Sequence, residues 1–226
     1  MKRIIEIIKE DYETIPFHNF RIILKKDLDI KLGGTCSDRT LYLRKNLDSL
    51  GIKTNLHSAK INGKNIHRLL KINREPYFLD VGLGWPLMQP ISLTQNMNFN
   101  FFGLYFKTKI IKNQISVYKL NKGIYNLNYT SQIDDINSEI VEKQINDRFN
   151  NIEAYPFKDS IRFSKVVDNE FYFLKGNILG YSNNNKFQYK TINTKEEFIS
   201  LFENIFKFNI DLAIEVAKKT NRYEFL

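Results

Sequence analysis

One thiol, one histidine and one carboxylate in this chain could together make and break an acyl bond. Cys36 is the only cysteine, so it forms no intramolecular disulfide and is either inert packing or chemistry. It sits between Thr35 and Asp38. A Thr followed three residues later by an acid, then an apolar stripe of Leu43, Leu47 and Leu50 that stops at Gly51, predicts a helix with Cys36 in its first turn. Amides and the macrodipole at a helix start stabilise a thiolate. A lone cysteine is still most often a small buried hydrophobe, so its company decides the reading.

That company lies on two strand-like runs, Asn65 to Ile72 and Tyr77 to Val81, separated by Asn73 to Pro76. With a four-residue loop there, Ile72 stands opposite Tyr77, Leu69 faces Asp80 and His67 faces Gly82. Strand side chains alternate, so His67 and Asp80 share a face as diagonal neighbours roughly 7 Å apart by backbone, within reach of an imidazole–carboxylate hydrogen bond. Asp80, flanked by Tyr77, Phe78, Leu79 and Val81, is costly to bury without such a partner. The other imidazole nitrogen needs a thiol, and Cys36 is the only candidate. Taken singly, His67 reads as a core histidine and Asp80 as a capping acid.

His18 and His57 read as core histidines. One Cys and three widely spaced His offer no metal-ligand pair, and no metal is expected. Neither Gly33-Gly34 nor Gly82-Leu83-Gly84 is a dinucleotide or Walker loop, although short glycine loops beside strands let a ligand approach the backbone.

The elements that must position these groups follow from periodicity. Ile4, Ile5, Ile8 and Tyr12 predict a helix over about 2–13, ended by Pro16. Residues 52–61, 65–72 and 77–81 predict a three-strand meander, and further short strands are expected through 101–129. A polar helix is expected over about 134–149. Strands follow at 160–167, 170–174 and 186–192, with Gly176 and Asn183 to Asn185 as turns. Thr194, with Glu197 three residues on, caps a final helix whose apolar face is Phe198, Leu201, Phe202 and Ile205. No repeat or long linker separates these parts, so they are expected to pack as one body.

Composition bounds the function classes. With 226 residues, 42% hydrophobic and 26% charged, the chain is neither disordered, collagenous nor a coiled coil. The net charge of +9 points to a polyanionic partner, a nucleic acid or a small phosphorylated ligand. Dense Lys/Arg clusters, a helix-turn-helix pattern and RNP-type strands are missing, so a solvated basic surface is favoured over a nucleic-acid site. Glu6 interrupts the first apolar run and no cleavage site follows, nor do 18 uncharged apolar residues run together. A cytoplasmic chain with no membrane partner is expected.

Leu32-Gly33-Gly34-Thr35-Cys36, then Ile66-His67-Arg68-Leu69-Leu70, then Leu79-Asp80-Val81-Gly82-Leu83-Gly84 followed by Pro86 and Pro90, resemble the three catalytic blocks of the arylamine N-acetyltransferases, in the same order. Thr14-Ile15-Pro16-Phe17-His18-Asn19-Phe20 is similar to that family's IPFEN segment. Less specifically, Ser160-Ile161-Arg162-Phe163 and the last helix resemble its C-terminal third. The resemblance implies an α+β fold in three parts. A helical part over 1–51 carries Cys36, an antiparallel β-barrel-like part over 52–133 carries His67 and Asp80, and an α/β lid covers 134–226. It implies a ping-pong reaction with acetyl-CoA or another acyl-CoA as co-substrate and a small arylamine or hydrazine as acceptor. Cys36 is then the nucleophile, His67 its base and Asp80 the orienting acid. Gly82, Leu83 and Gly84 match the loop near the CoA pantetheine and phosphates.

Several positions depart from the family pattern. Leu32 stands for its Arg, Thr35 for its aromatic, Asp38 for its Glu or Gln, Thr40 for its Asn and Leu83 for a frequent Phe. Within the same chemistry these leave open an amide synthase, or a transglutaminase-like or protease-like enzyme acting on a carrier-bound or peptide substrate. The different-class alternative is a non-catalytic module that binds an anionic ligand.

Overall fold

The computed structural model describes residues 1–150, 157–220 and 223. Helix α1 (Lys2–Thr14) buries Ile4, Ile8, Asp11 and Tyr12, and it stops where Ile15, forced extended by Pro16, adopts φ −108° and ψ 99°. Strand β1 (Phe17–His18) and helix α2 (Phe20–Leu24) follow, both too short to leave a periodic signature. Helix α3 (Cys36–Ser49) begins at the cysteine, as expected. Its start is held by Asp38, whose carboxylate accepts from both the N–H and the hydroxyl of Thr35 at 2.8 Å.

The middle of the chain forms an antiparallel eight-stranded sheet that curls like half a barrel. Its strands are β2 (Thr54–Ile61), β3 (Lys64–Ile72), β4 (Tyr77–Leu79), β5 (Ile91–Ser92), β6 (Asn98–Phe101), β7 (Leu104–Ile111), β8 (Gln114–Asn121) and β9 (Ile124–Gln132), in the order β5-β4-β3-β2-β9-β8-β7-β6. Leu70 pairs with Leu79 and Lys71 with Phe78, the expected register. Two register shifts interrupt the ladders. Ala59 pairs with His67 but Lys60 with Asn65, leaving Ile66 as an extra residue in β3. Val117 pairs with Tyr129 but Tyr118 with Leu127, leaving Asn128 as an extra residue in β9. Such bulges re-aim side chains. Helix α4 (Ser138–Asn150) then crosses back to pack on β2, with Val141 and Ile145 in the core.

The second sheet runs β1-β10-β11-β12-β13, with β10 (Arg162–Val167), β11 (Glu170–Lys175), β12 (Ile178–Asn183) and β13 (Lys186–Thr191). Strand β12 adds to the sequence reading, which assigns no element between the turns at Gly176 and Asn183 to Asn185. Gly180 lowers its strand propensity, yet a Cβ there would lie 2.7 Å from the Phe187 ring, so packing against β13 demands the glycine. The end of the chain also differs from a single final helix. Helix α5 (Lys195–Ser200) has the expected Thr194–Glu197 capping box and continues as a π-helical turn through Leu201–Ile205. A separate helix α6 (Ile210–Lys218) then starts at Asn209, whose side chain accepts from the Leu212 N–H at 2.9 Å.

Two apolar cores result. The first joins α1, α3, the curled sheet and α4. The second is aromatic-rich and gathers Phe20, Phe163, Phe198, Phe202 and Phe206 with the apolar face of α6. Residues 17–24 therefore leave the N-terminal helices to join the C-terminal sheet, and this places the entrance to α3 at the seam between the two cores.

Candidate active site

The backbone ahead of Cys36 is clamped from both sides. The Pro16 carbonyl accepts from the Gly34 N–H at 3.1 Å, and the Gly34 carbonyl accepts from the His18 N–H at 2.8 Å. Gly33 takes φ +100°, and a side chain there would collide with the Pro16 carbonyl. Arg21 of α2 reaches Asp38 at 3.2 Å and Asp27 at 2.6 Å, tying α2 to the start of α3.

The structure brings Cys36, His67 and Asp80 together. His67 Nε2 donates to Asp80 Oδ2 at 3.0 Å, and Asp80 Oδ1 accepts from the Gly82 N–H at 3.0 Å. With Nε2 engaged, Nδ1 is the nitrogen left for the thiol, and Cys36 and His67 line the same cavity. Cys36 Sγ also lies 3.5 Å from the carbonyl of Ile66, the extra residue of β3. Burial pushes the His67 pKa down; the Asp80 carboxylate, by charge and by hydrogen bond, and Cys36 push it up and prevail, to about 9. His67 is thus an imidazolium at neutral pH, beside the only thiol of the chain.

Several supporting residues carry no sequence signal. Tyr12 of α1 puts its hydroxyl 3.1 Å from the Asp80 carbonyl and 2.9 Å from the Trp85 carbonyl, and accepts from the Leu87 N–H at 3.2 Å. It pins the segment that carries Asp80. Its neighbour Asp11 pairs with Arg39 out of contact with water, and the Arg39 guanidinium lies 4.6 Å from the Tyr12 ring centroid. Tyr129, next to the extra residue of β9, packs its ring 4.9 Å from that of His67.

In front of the thiol lies a cavity of about 210 Å³. Phe17, Ile22, Ile61, Ile66, Leu83, Trp85, Phe157 and Phe173 give it apolar walls, and Asn19, Thr35, Asn128 and Arg162 give it polar groups. Gly82 and Leu83 line it beside Cys36 and His67, whereas Gly84, at φ +75°, packs against the Phe17 ring. His18 and His57 lie apart from this cavity, both fully buried. His18 Nε2 donates to the Leu32 carbonyl at 2.8 Å, and burial draws its pKa down to about 4. His57 is bonded to the Asp134 carbonyl at 2.8 Å. Among the described residues, no cluster of His, Cys, Asp and Glu could hold a metal ion, and no helix is long and apolar enough to cross a membrane.

The same architecture occurs in solved structures. An arylamine N-acetyltransferase of Mycobacterium smegmatis, 17% identical, superposes with a TM-score of 0.76 over 96% of this chain and 91% of that one. The Mycobacterium marinum arylamine N-acetyltransferase in complex with CoA, 13% identical, gives 0.78 over 95% and 92%. The Salmonella typhimurium arylamine N-acetyltransferase, 13% identical, gives 0.75 over 93% and 89%. At such identities these likenesses establish the fold. No curated protein matches the sequence significantly. The sequence nevertheless matches the N-acetyltransferase family model over residues 1–216, nearly its whole length. By that match, with the fold in agreement, the chain belongs to the arylamine N-acetyltransferase family.

Proposed function

We propose that this protein transfers an acyl group, acetyl in the first instance, from CoA to a small arylamine or hydrazine by a ping-pong reaction through Cys36. The observation that carries the reading is the contiguous Cys36–His67–Asp80 arrangement facing a largely apolar cavity.

Cys36, as thiolate, attacks the thioester carbonyl, and its own backbone N–H at the start of α3 faces the developing oxyanion. His67 gives its proton to the departing CoA sulfur. The amine then attacks the acyl-cysteine carbonyl, His67 accepts the amine's proton, and Cys36 is released as the thiolate. Asp80 holds the ring orientation through both halves. A cavity of about 210 Å³ suits the acyl group and one acceptor ring in turn, and leaves the bulk of CoA outside, past Gly82, Leu83 and Gly84. The formal charge of +9 suits this anionic co-substrate.

Incubation with acetyl-CoA followed by intact-protein mass spectrometry tests the reading. An acetyl adduct on Cys36 that an arylamine discharges is the expected result. No adduct, under conditions where iodoacetamide labels Cys36, would overturn it.

A further inference from the structure

The cavity in front of Cys36 contains a cation, Arg162, that no acidic group among the described residues pairs with. Arg162, the first residue of β10, lays its guanidinium carbon 3.9 Å from the ring centroid of Phe157, and its Nε is buried without a hydrogen-bond partner. Burial lowers its pKa from the ordinary value. The placement is built. Asn19 accepts from the Arg162 N–H at 2.8 Å and donates to the carbonyls of Ser160, at 2.8 Å, and Phe157.

A second donor faces the same cavity. Asn128, the extra residue of β9, has its side-chain Nδ2 buried without a partner. Arg162 and the imidazolium of His67 make the described lining positive, with no Asp or Glu among it. A guanidinium whose Nε is buried without a partner and an amide whose Nδ2 is buried without one are costly unless a ligand completes them. The guanidinium fork matches a carboxylate.

We propose that Arg162 and Asn128 bind a carboxylate of the substrate inside the Cys36 cavity, so that the protein prefers a substrate bearing one over its neutral isostere. The inference rests on the acyl-transfer reading only for the substrate's two possible carriers of that carboxylate, the acceptor amine and the acyl group.

Because Cys36 is the only thiol, alkylation reads the cavity without any acyl transfer. The iodoacetate to iodoacetamide rate ratio is measured in wild type, Arg162→Gln and Arg162→Lys. His67 attracts the anionic reagent equally in all three. The ratio is expected to fall roughly tenfold in Arg162→Gln, the worth of one charge-assisted hydrogen bond, and to recover in part in Arg162→Lys. An unchanged ratio overturns the proposal, and Asn128→Ala gives an independent reading should Arg162→Gln not fold. Two further arms separate the sources: 4-aminobenzoate against 4-aminobenzamide as acceptor, and succinyl-CoA against butyryl-CoA as donor. A wild-type preference for the carboxylate member in one arm, lost in Arg162→Gln, supports the proposal and names the source. No preference in either arm overturns it, as does an Arg162→Gln protein that merely binds CoA more weakly. If no thioester acylates Cys36, the acyl-transfer reading fails, while the alkylation ratio still decides the carboxylate site.

Discussion

Cys36 and Gly82 are packed so closely that a Cβ built on Gly82 would lie 2.6 Å from the Cys36 Cβ and 2.7 Å from its Cα. The glycine is therefore what lets the start of α3 press against the segment leaving β4, and so what brings the thiol to the imidazole. Gly82→Ala must displace one of the two backbones, at a cost of about 1–3 kcal/mol. Its expected signature is a loss of Cys36 alkylation rate, at a temperature where the variant is folded, that exceeds what the fall in Tm implies. A variant with wild-type alkylation would show that the contact is mere packing.

His67 should titrate near 9, and Asp80 is the main cause of the rise. A histidine whose pKa is raised on folding stabilises the fold fully below its unfolded pKa of about 6.5, and that stabilisation is lost as the pH rises through about 9. Asp80→Asn removes the charge, so the His67 titration followed by NMR should move down. The stability difference between wild type and Asp80→Asn should change across that same window and level off beyond it. A His67 pKa indifferent to Asp80 would contradict the pairing.

In the proposed mechanism, His67→Gln leaves the thiol without its base. Acetylation of Cys36 by acetyl-CoA should slow by roughly 10²–10⁴-fold, as general-base losses do. Alkylation at neutral pH should slow as well, with little change in Tm beyond the lost imidazolium pair. Cys36→Ser should leave no adduct at all in the mass spectrum.

His18 is held neutral at physiological pH, donating to the Leu32 carbonyl and accepting at Nδ1 from the Phe20 N–H at 3.3 Å. Its pKa is depressed on folding to about 4, so the stability it contributes is present above about pH 6.5 and lost as the pH falls toward 4. Wild type should therefore lose Tm over that range more steeply than His18→Gln. Parallel melting curves from pH 7 to 4 would show that the ring is not buried as described.

The start of α3 at Cys36, the end of α1 at Pro16 and the β3–β4 register that puts His67 and Asp80 on one face were readable from residue order. Each is written in residues close along the chain, where capping, proline sterics and side-chain alternation act over a few positions. Elements without such a pattern were not legible. Strand β1 is only two residues long, and β12 contains a glycine that exists for the ring of Phe187. The surroundings of the site were decided by tertiary structure alone. Tyr12 reaches the Asp80 carbonyl across 68 positions, and Asn19 holds Arg162 across 143. The bulges at Ile66 and Asn128 follow from how the four curled strands β3-β2-β9-β8 fit one another. Such contacts depend on which surfaces meet when two cores close on each other, and local sequence carries no record of that. The meeting of Cys36, His67 and Asp80 was therefore legible in three short motifs, whereas the shape and charge of the cavity beside them arose only on folding.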